Sequence, residues 1–282
     1  MKILGIQRAV QFSPNHTGND HKIFTLTKQA LEKKGVSVRV LTEEAFYHTN
    51  AIDEKYIFSM VRNNPNVRKL QELQEEGRVV INSARGIENC FRTNMVHLLS
   101  DKIPQPETYI LDVVDNPDEI FERLGNKSFW IKRGDHHAVH KEDVVFCRND
   151  EEGRSILKEF AIRGISNVAI SEHLQGDLIK FYAIRGTDFF HWFYPFEENH
   201  VKFETPTDTK HYSFDENKLK TIAAKSAELL DIHIYGGDAI ISDSGEIQII
   251  DLNDWPSFAP CRDEAATYIA ESILGAINNS KI

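Results

Sequence analysis

The chain has 282 residues, of which 41% are hydrophobic and 27% charged, and its formal net charge is −10. This length allows one large or two to three small domains with a substantial core, and the composition is ordinary for a folded protein. The acidic balance argues against general nucleic-acid binding, and no apolar run reaches the roughly 18 residues of a membrane span. Three scattered cysteines fit a reducing compartment, so we expect a cytoplasmic protein.

Strands and helices alternate along the first ninety residues. The apolar pattern and its breakers predict strands at 2–6, 36–41, 54–61 and 78–82, and helices at 20–34 and 66–76. Alternation of this kind predicts a mostly parallel, doubly wound sheet.

Two further units follow a predicted helix at 86–99. The first has predicted strands at 109–113, 128–133, 144–148 and 167–174, and helices at 117–124 and 151–163. The second has a hairpin of strands 178–186 and 188–196, a helix at 215–230, strands at 234–242 and 246–253, and a helix at 263–277. The three predicted domains are 1–100, 101–174 and 175–282.

Acidic residues mark the last pair of predicted strands. Asp238 lies near the start of one strand and Asp251 near the end of the other, so an antiparallel hairpin brings them together. Asp251 and Asn253 leave the same face because they are two residues apart. Mg²⁺ favours such oxygen ligands, and a charge within an apolar run is costly unless it is paired or coordinating. We therefore predict a metal site, the alternative being solvated carboxylates at strand ends.

Cations stand at positions suited to phosphate binding. Lys132 ends an apolar strand and is followed by Gly134 and a polar loop that could close as a lid. Arg92 lies upstream, on the predicted helix at 86–99. Lys180 lies inside a later apolar strand, where the alternative is a side chain that merely extends to solvent.

In their order and spacing these segments resemble the ATP-grasp superfamily, from about residue 80 onward. The resemblance is carried by NSARGIENCFR (82–92) with LLSDKIPQPET (98–108), FWIKR (129–133), ISEHLQG (170–176), LIKFYAIRG (178–186) and GGDAIIS with GEIQIIDLND (236–254). It implies an α/β (α+β) ATP-grasp fold with an N-terminal Rossmann-like domain, and ATP with Mg²⁺, or Mn²⁺ in its place, as cofactors.

The resemblance also implies roles for individual residues. Arg92 and Lys132 would bind the nucleotide phosphates, Lys180 would face phosphate or substrate as a catalytic cation, Glu172, His173 and Leu174 would hold adenine, and Asp238, Asp251 and Asn253 would bind the metal.

The sequence departs from the family pattern in three places. Only Gly134 remains of the usual glycine-rich loop, and Asp251 stands where many ligases have glutamate. An arginine that often follows the Lys180 hairpin is missing, and Lys202 is the candidate replacement. The contacts of the lid with phosphate are the part of the site that these departures affect.

Basic residues follow the strands of the amino-terminal sheet, where open α/β sheets bind ligands. Arg8, Arg62 and Arg85 come after the first, third and fourth strands, and Asn15 lies in the loop after the first. We predict that they bind a carboxylate or phosphate, the alternative being surface arginines paired with acids. Arg262, just after the metal residues, is predicted to act on the same substrate as a catalytic residue; the bland alternative is a loop that caps the last helix.

The favoured function is a carboxylate ligase that joins an anionic small molecule or peptide to an amine or thiol through an acyl phosphate. One alternative is a kinase of the same superfamily acting on a phosphorylated alcohol, and another is a non-catalytic nucleotide-binding module. A transition-metal site at His136, His137 and His140 is a weaker hypothesis, because no second ligand pair is evident. We expect no nucleic-acid or membrane partner, and the sequence leaves homo-oligomerisation open.

Overall fold

The computed structural model of the protein describes residues 1–12, 17–125, 127–135, 140–195 and 209–280. Its strands are β1 (Lys2–Gln7), β2 (Ser37–Thr42), β3 (Tyr56–Ser59), β4 (Val79–Ile81), β5 (Thr108–Asp112), β6 (Phe129–Arg133), β7 (Val144–Cys147), β8 (Asn167–Glu172), β9 (Asp177–Ile184), β10 (Phe190–Phe193), β11 (Ile234–Ile241) and β12 (Ile247–Asp254). Its helices are α1 (Thr17–Lys33), α2 (Glu43–His48), α3 (Asn64–Glu75), α4 (Ala84–Asn89), α5 (Arg92–Leu99), α6 (Asp118–Leu124), α7 (Asp150–Ile162), α8 (Glu216–Leu230) and α9 (Arg262–Asn279). Among these helices, none combines the length and apolar composition needed to cross a bilayer.

The amino-terminal sheet has the order β2-β1-β3-β4 and is parallel throughout, as the alternation predicts. Helix α1 covers one of its faces together with α9, so the last helix of the chain returns to the first sheet. Phe24 of α1, Phe58 of β3 and Ile269 of α9 are buried in this shared core. The opposite face packs against α3 and α4 through Leu70 and Ile87. This shared core joins the two ends of the chain.

The central sheet has the order β5-β8-β6-β7 and is antiparallel. Helices α6 and α7 cover one face, where Phe121, Phe129 and Phe160 are buried. Gly153 lets α7 approach closely, because a Cβ at that position would lie 2.7 Å from Phe129 Cζ. The other face carries Lys132 and looks toward the third sheet.

The carboxy-terminal sheet has the order β10-β9-β11-β12 and is also antiparallel. Phe181 and Leu252 on one face are fully buried against α8, whose Leu219 and Ala223 share their core. The strands alternate between this apolar face and a polar one, which is the pattern of a sheet with one covered face. All four strands therefore contribute side chains to the second face.

The structure differs from the sequence prediction in three elements. The single helix predicted at 86–99 is two helices, α4 and α5, because the backbone is extended at Phe91. The short helix α2 was not predicted, and the Thr42 side chain caps it by accepting a hydrogen bond from Ala45 N. Strand β10 is shorter than the predicted 188–196, whose last residue lies outside the described residues. The break after α4 aims Arg92 at β12.

Candidate active site

A row of charged residues crosses the polar face of the carboxy-terminal sheet. Lys180 on β9 is opposite Asp238 on β11, and Asp238 is opposite Asp251 on β12. Lys180 Nζ donates to both carboxylate oxygens of Asp238, at 2.8 and 3.0 Å. Asp251 Oδ2 accepts from an Arg92 guanidinium nitrogen at 2.8 Å. The predicted proximity of the two aspartates is therefore confirmed, and each carboxylate has a cationic partner.

The charges of this row remain within reach of solvent. The side chains of Lys180, Asp238 and Asp251 are 36%, 24% and 22% exposed, whereas Phe181 and Leu252 on the opposite face are fully buried. Ion pairs at such exposure contribute little to folding, because water screens both partners. The Lys180–Asp238 pair can therefore open to a ligand at small cost in stability, whereas the Arg92 partner of Asp251 is only 7% exposed.

A second row lies beside the first on the same face. Asn253 of β12 is opposite Gly236 of β11, which is opposite Tyr182 of β9, which is opposite His191 of β10. A Cβ at Gly236 would lie 2.7 Å from the Tyr182 ring, so only glycine leaves room for it. Burial raises the pKa of Tyr182 to about 12, and its phenol is protonated at neutral pH. Asn253 therefore lies on the same face of the sheet as Asp238 and Asp251.

Two cations join the central sheet to this face. Lys132 of β6 is 7% exposed, and its Nζ donates to the Ile250 carbonyl of β12 at 3.4 Å. Arg92 donates to the Arg133 carbonyl at 3.3 Å with one nitrogen and to Asp251 with another. Both side chains lie between β6 and β12, so three cations and two carboxylates converge.

An aromatic cluster lies on the same face of β6 as Lys132. The Trp130 and Phe146 ring centroids are 5.1 Å apart, and the Phe146 and His173 rings are 5.0 Å apart. Trp130 Nε1 donates to His173 Nδ1 at 3.1 Å, which requires that nitrogen to be unprotonated. Burial lowers the pKa of His173 and thus favours the neutral ring. The cluster therefore forms an apolar wall on the same face as Lys132.

The predicted adenine residues lie at the end of β8 and directly after it, and two of them bond to neighbouring segments of the central domain. Glu172 Oε1 accepts from Glu107 N at 3.0 Å, and His173 N donates to the Ser128 carbonyl at 3.3 Å. Leu174 is half-buried in the connection from β8 to β9. The connection is thereby fixed against the central sheet.

Arg8 and Arg62 lie deep in the protein. Arg8 donates to the Trp255 carbonyl at 3.0 Å and to Asp20 at 3.1 Å, and Arg62 donates to the Asp254 carbonyl at 3.2 Å. Their side chains are only 4% and 9% exposed. Burial lowers the pKa of Arg62, an effect that nearby Arg8 increases and the Asp254 carboxylate opposes. Both arginines, predicted as substrate contacts, thus bond to the segment that follows Asn253.

The other predicted substrate residues lie in different settings. Arg262, the first residue of α9, donates to Asn19 Oδ1 of α1 at 2.8 Å. Arg85 is exposed on α4, and Asn15 lies outside the described residues. Lys202 also lies outside them.

Sequence reasoning missed Glu43, a carboxylate that is 1% exposed. One of its oxygens accepts from Ala9 N at 2.8 Å, and the other accepts from Arg62 N at 2.9 Å and Asn63 N at 2.6 Å. Glu43 therefore ties together the loops after β1 and β3. It follows β2 directly, so applying the carboxyl-end rule to the second strand as well would have found it.

A transition-metal site is not supported by the described histidines. Within the ranges that the structure describes, no group of three or more His, Cys, Asp or Glu side chains could hold a metal ion. His136 and His137 lie outside those ranges, and His140 is exposed. Any site made by Asp238 and Asp251 would need a ligand of another type, such as the Asn253 amide.

Comparison with known proteins gives structural matches only. No family model and no curated protein sequence matches the chain. A D-alanine–D-alanine ligase from Coxiella burnetii matches with a TM-score of 0.72 and 13% identity, over 100% of this chain and 96% of that one. A RimK domain ATP-grasp protein from Sphaerobacter thermophilus has a TM-score of 0.68, 14% identity and coverage of 98% and 100%. The ATP-grasp ligase PsnB, complexed with minimal precursor, Mg and ADP, has a TM-score of 0.62, 13% identity and coverage of 99% and 98%.

The protein has the ATP-grasp fold. Identities of this size concern the fold alone. Within the ATP-grasp fold of this chain, FWIKR is β6, LIKFYAI belongs to β9, and the two acidic segments are β11 and β12. These four segments therefore meet in space at the charged row.

Proposed function

We propose that the protein is an ATP- and Mg²⁺-dependent ligase that activates a carboxylate as an acyl phosphate and transfers it to an amine, or to a thiol in its place. The observation that carries the proposal is the charged row of Lys180, Asp238 and Asp251, onto which Arg92 and Lys132 converge from the other side. Cations and carboxylates that lie side by side suit a nucleotide with its metal ion, because that ligand combines a polyanion with a cation.

The donor set fits Mg²⁺. Asp238 and Asp251 supply carboxylates on neighbouring strands, and Asn253 supplies an amide oxygen on the same face. Mg²⁺ is held by one or two carboxylates together with water and substrate phosphates, so three protein ligands suffice. When bound, the ion would supply charge neutralisation at the phosphates.

The cations of the site then have a defined task. Lys180 and Arg92 pair with the two aspartates, and a divalent ion on those carboxylates would release both cations toward phosphate. Lys132 adds a third positive charge beside β12. Together they offset charge as the γ-phosphoryl group moves from ATP to the carboxylate oxygen and ADP leaves, which is the main need of phosphoryl transfer. The amine nitrogen then attacks the acyl carbon, a C–N bond forms, and phosphate leaves.

The nucleotide base belongs on the other side of Lys132 from the metal strands. We propose that Glu172, His173 and Leu174 line its edge and that the Trp130 and Phe146 rings form the adjoining wall. An apolar wall with a few fixed polar groups is the usual form of such a pocket. The carboxylate substrate is assigned to the amino-terminal side, with Arg262, Arg85 and Asn15 as its candidate contacts. We propose domain boundaries at 1–100, 101–174 and 175–282.

Trapping with hydroxylamine tests the proposal. The protein is incubated with ATP, Mg²⁺, hydroxylamine and a panel of amino acids, peptides and other carboxylic acids, and both ADP and hydroxamate are measured. Hydroxamate formation that depends on one acid is the expected result. ADP with a phosphorylated alcohol but no hydroxamate would contradict the ligase and indicate a kinase, and ATP binding without turnover would indicate a non-catalytic module.

A further inference from the structure

Two arginines and one glutamate form a buried network between the amino-terminal sheet and the end of β12. Glu43 accepts hydrogen bonds from Ala9 N, Arg62 N and Asn63 N. These bonds fix the main chain at the points where Arg8 and Arg62 begin. We call Glu43, Arg8 and Arg62 the buried clamp.

The buried clamp ends on main-chain carbonyls that directly follow Asn253. Arg62 donates to the Asp254 carbonyl at 3.2 Å, and Arg8 donates to the Trp255 carbonyl at 3.0 Å. Arg8 is held in turn by Asp20, at 3.1 Å, and by the Met60 carbonyl, at 3.2 Å. A guanidinium group with several fixed partners has little freedom, so these carbonyls are placed by rigid neighbours.

The position of Asn253 depends on that placement. It is the last polar residue on the site face of β12, since Asp254 is fully buried and the Trp255 backbone has a positive φ of 39°. β12 is the outer strand in the order β10-β9-β11-β12, so within this sheet it pairs with β11 alone, and the clamp adds a second constraint through the two residues that follow Asn253. We propose that the buried clamp consists of positioning residues that hold the Asn253 amide in line with Asp238 and Asp251. This inference rests on the proposed function, because it takes Asn253 as a metal ligand.

The clamp also explains why arginines stand after β1 and β3. An arginine at a ligand edge usually binds the ligand itself, whereas these two bind the protein segment that carries one of the metal residues. They are therefore assigned an indirect role, and their substitution is expected to weaken metal binding. Groups that orient metal ligands typically change metal affinity by about 10- to 100-fold when they are replaced.

Two buried glutamates in the connection between β2 and β3 give a matched test. Glu43→Gln keeps the size of the side chain but sets an amide N–H against the N–H of Ala9 or of Arg62 and Asn63. Glu54→Gln is the control, because Glu54 is also buried, at 8% exposed, and pairs with Arg39 on β2 far from the clamp. Mn²⁺ binding to the protein–ADP complex is measured by electron paramagnetic resonance, together with the melting temperature.

We expect Glu43→Gln to raise the Mn²⁺ dissociation constant about 10-fold relative to Glu54→Gln. Arg8→Lys, which keeps the charge beside Asp20 but loses the fork of donors, should do the same and replaces Glu43→Gln if that variant does not fold. Equal Mn²⁺ affinity in the clamp variants, the Glu54→Gln control and the wild type would overturn the positioning role. Wild-type protein that takes up no Mn²⁺ with ADP would overturn the proposed function as well, which separates the two failures.

Discussion

The protein holds two clusters of ionised side chains, the charged row of Lys180, Asp238 and Asp251 and the buried clamp. The side chains of the row are 22% to 36% exposed, so water reaches their charges. In the clamp Arg8 and Arg62 are at most 9% exposed. Arg8 donates to two backbone carbonyls and to Asp20, and Arg62 donates to the Asp254 carbonyl and forms an ion pair with the Asp254 carboxylate at 3.5 Å. Charges of the first kind can change partners, whereas charges of the second kind cannot leave theirs without being stranded. The row is therefore suited to binding, and the clamp to positioning.

The largest expected effect concerns the row. Asp251→Asn should lower Mg²⁺-dependent ATP turnover about 1000-fold, because a ligand charge worth several kcal/mol in the transition state is lost. Steady-state kinetics with the acid identified by hydroxamate trapping measures this. Asp243→Asn, in the exposed turn between β11 and β12, is the control and should be fully active. Unchanged turnover in Asp251→Asn would remove the row from the active site.

For stability we expect the reverse order: replacing a clamp residue should lower the free energy of unfolding more than replacing a residue of the charged row. Arg62→Met leaves the Asp254 side chain and carbonyl without this buried donor, so the free energy of unfolding should fall by about 3–5 kcal/mol. Lys180→Met breaks an exposed pair and should cost about 1 kcal/mol or less. Urea unfolding of both variants checks the difference. Equal losses would mean that the comparison between row and clamp is mistaken.

Lys132 lies between the two extremes, since it is buried but faces the row. Lys132→Met should raise the dissociation constant for ATP about 10-fold or more, because a phosphate-side charge is lost. Its bond to the Ile250 carbonyl is long, at 3.4 Å, so the loss of stability should be smaller than for Arg62→Met. ATP titration by calorimetry measures the effect. Lys158→Met, exposed on α7, should leave ATP affinity unchanged.

The smallest effect concerns His173, which belongs to the aromatic cluster of Trp130 and Phe146. Its pKa is lowered by burial, so the folded protein binds fewer protons there than the unfolded chain. Stability from the neutral ring is fully present above the unfolded value of 6.5 and is lost as the pH falls through 6.5 toward the folded pKa. The melting temperature should therefore drop less between pH 7.5 and 5.5 in His173→Asn than in the wild type. The exposed His97→Asn is the control, and identical slopes in all three proteins would contradict the prediction.

The difference between row and clamp also shows what the sequence could predict. Asp238 and Asp251 could be placed together because a hairpin fixes their register locally. The bond from Arg92 to Asp251 spans 159 residues and arises from the packing of α5 against β12, which no local pattern reports. The carboxyl-end rule put Arg8 and Arg62 at the correct edge of the sheet. It could not show that they face the protein, because that depends on where the segment after Asn253 packs.

A structure of the protein with Mg²⁺ and a non-hydrolysable ATP analogue is the most direct test of the charged row. We expect oxygens of Asp238, Asp251 and Asn253 at about 2.0–2.1 Å from the ion. Lys180 and Arg92 should have left the two carboxylates and should contact phosphate oxygens. A nucleotide bound elsewhere, with the Lys180–Asp238 and Arg92–Asp251 pairs intact, would contradict the account.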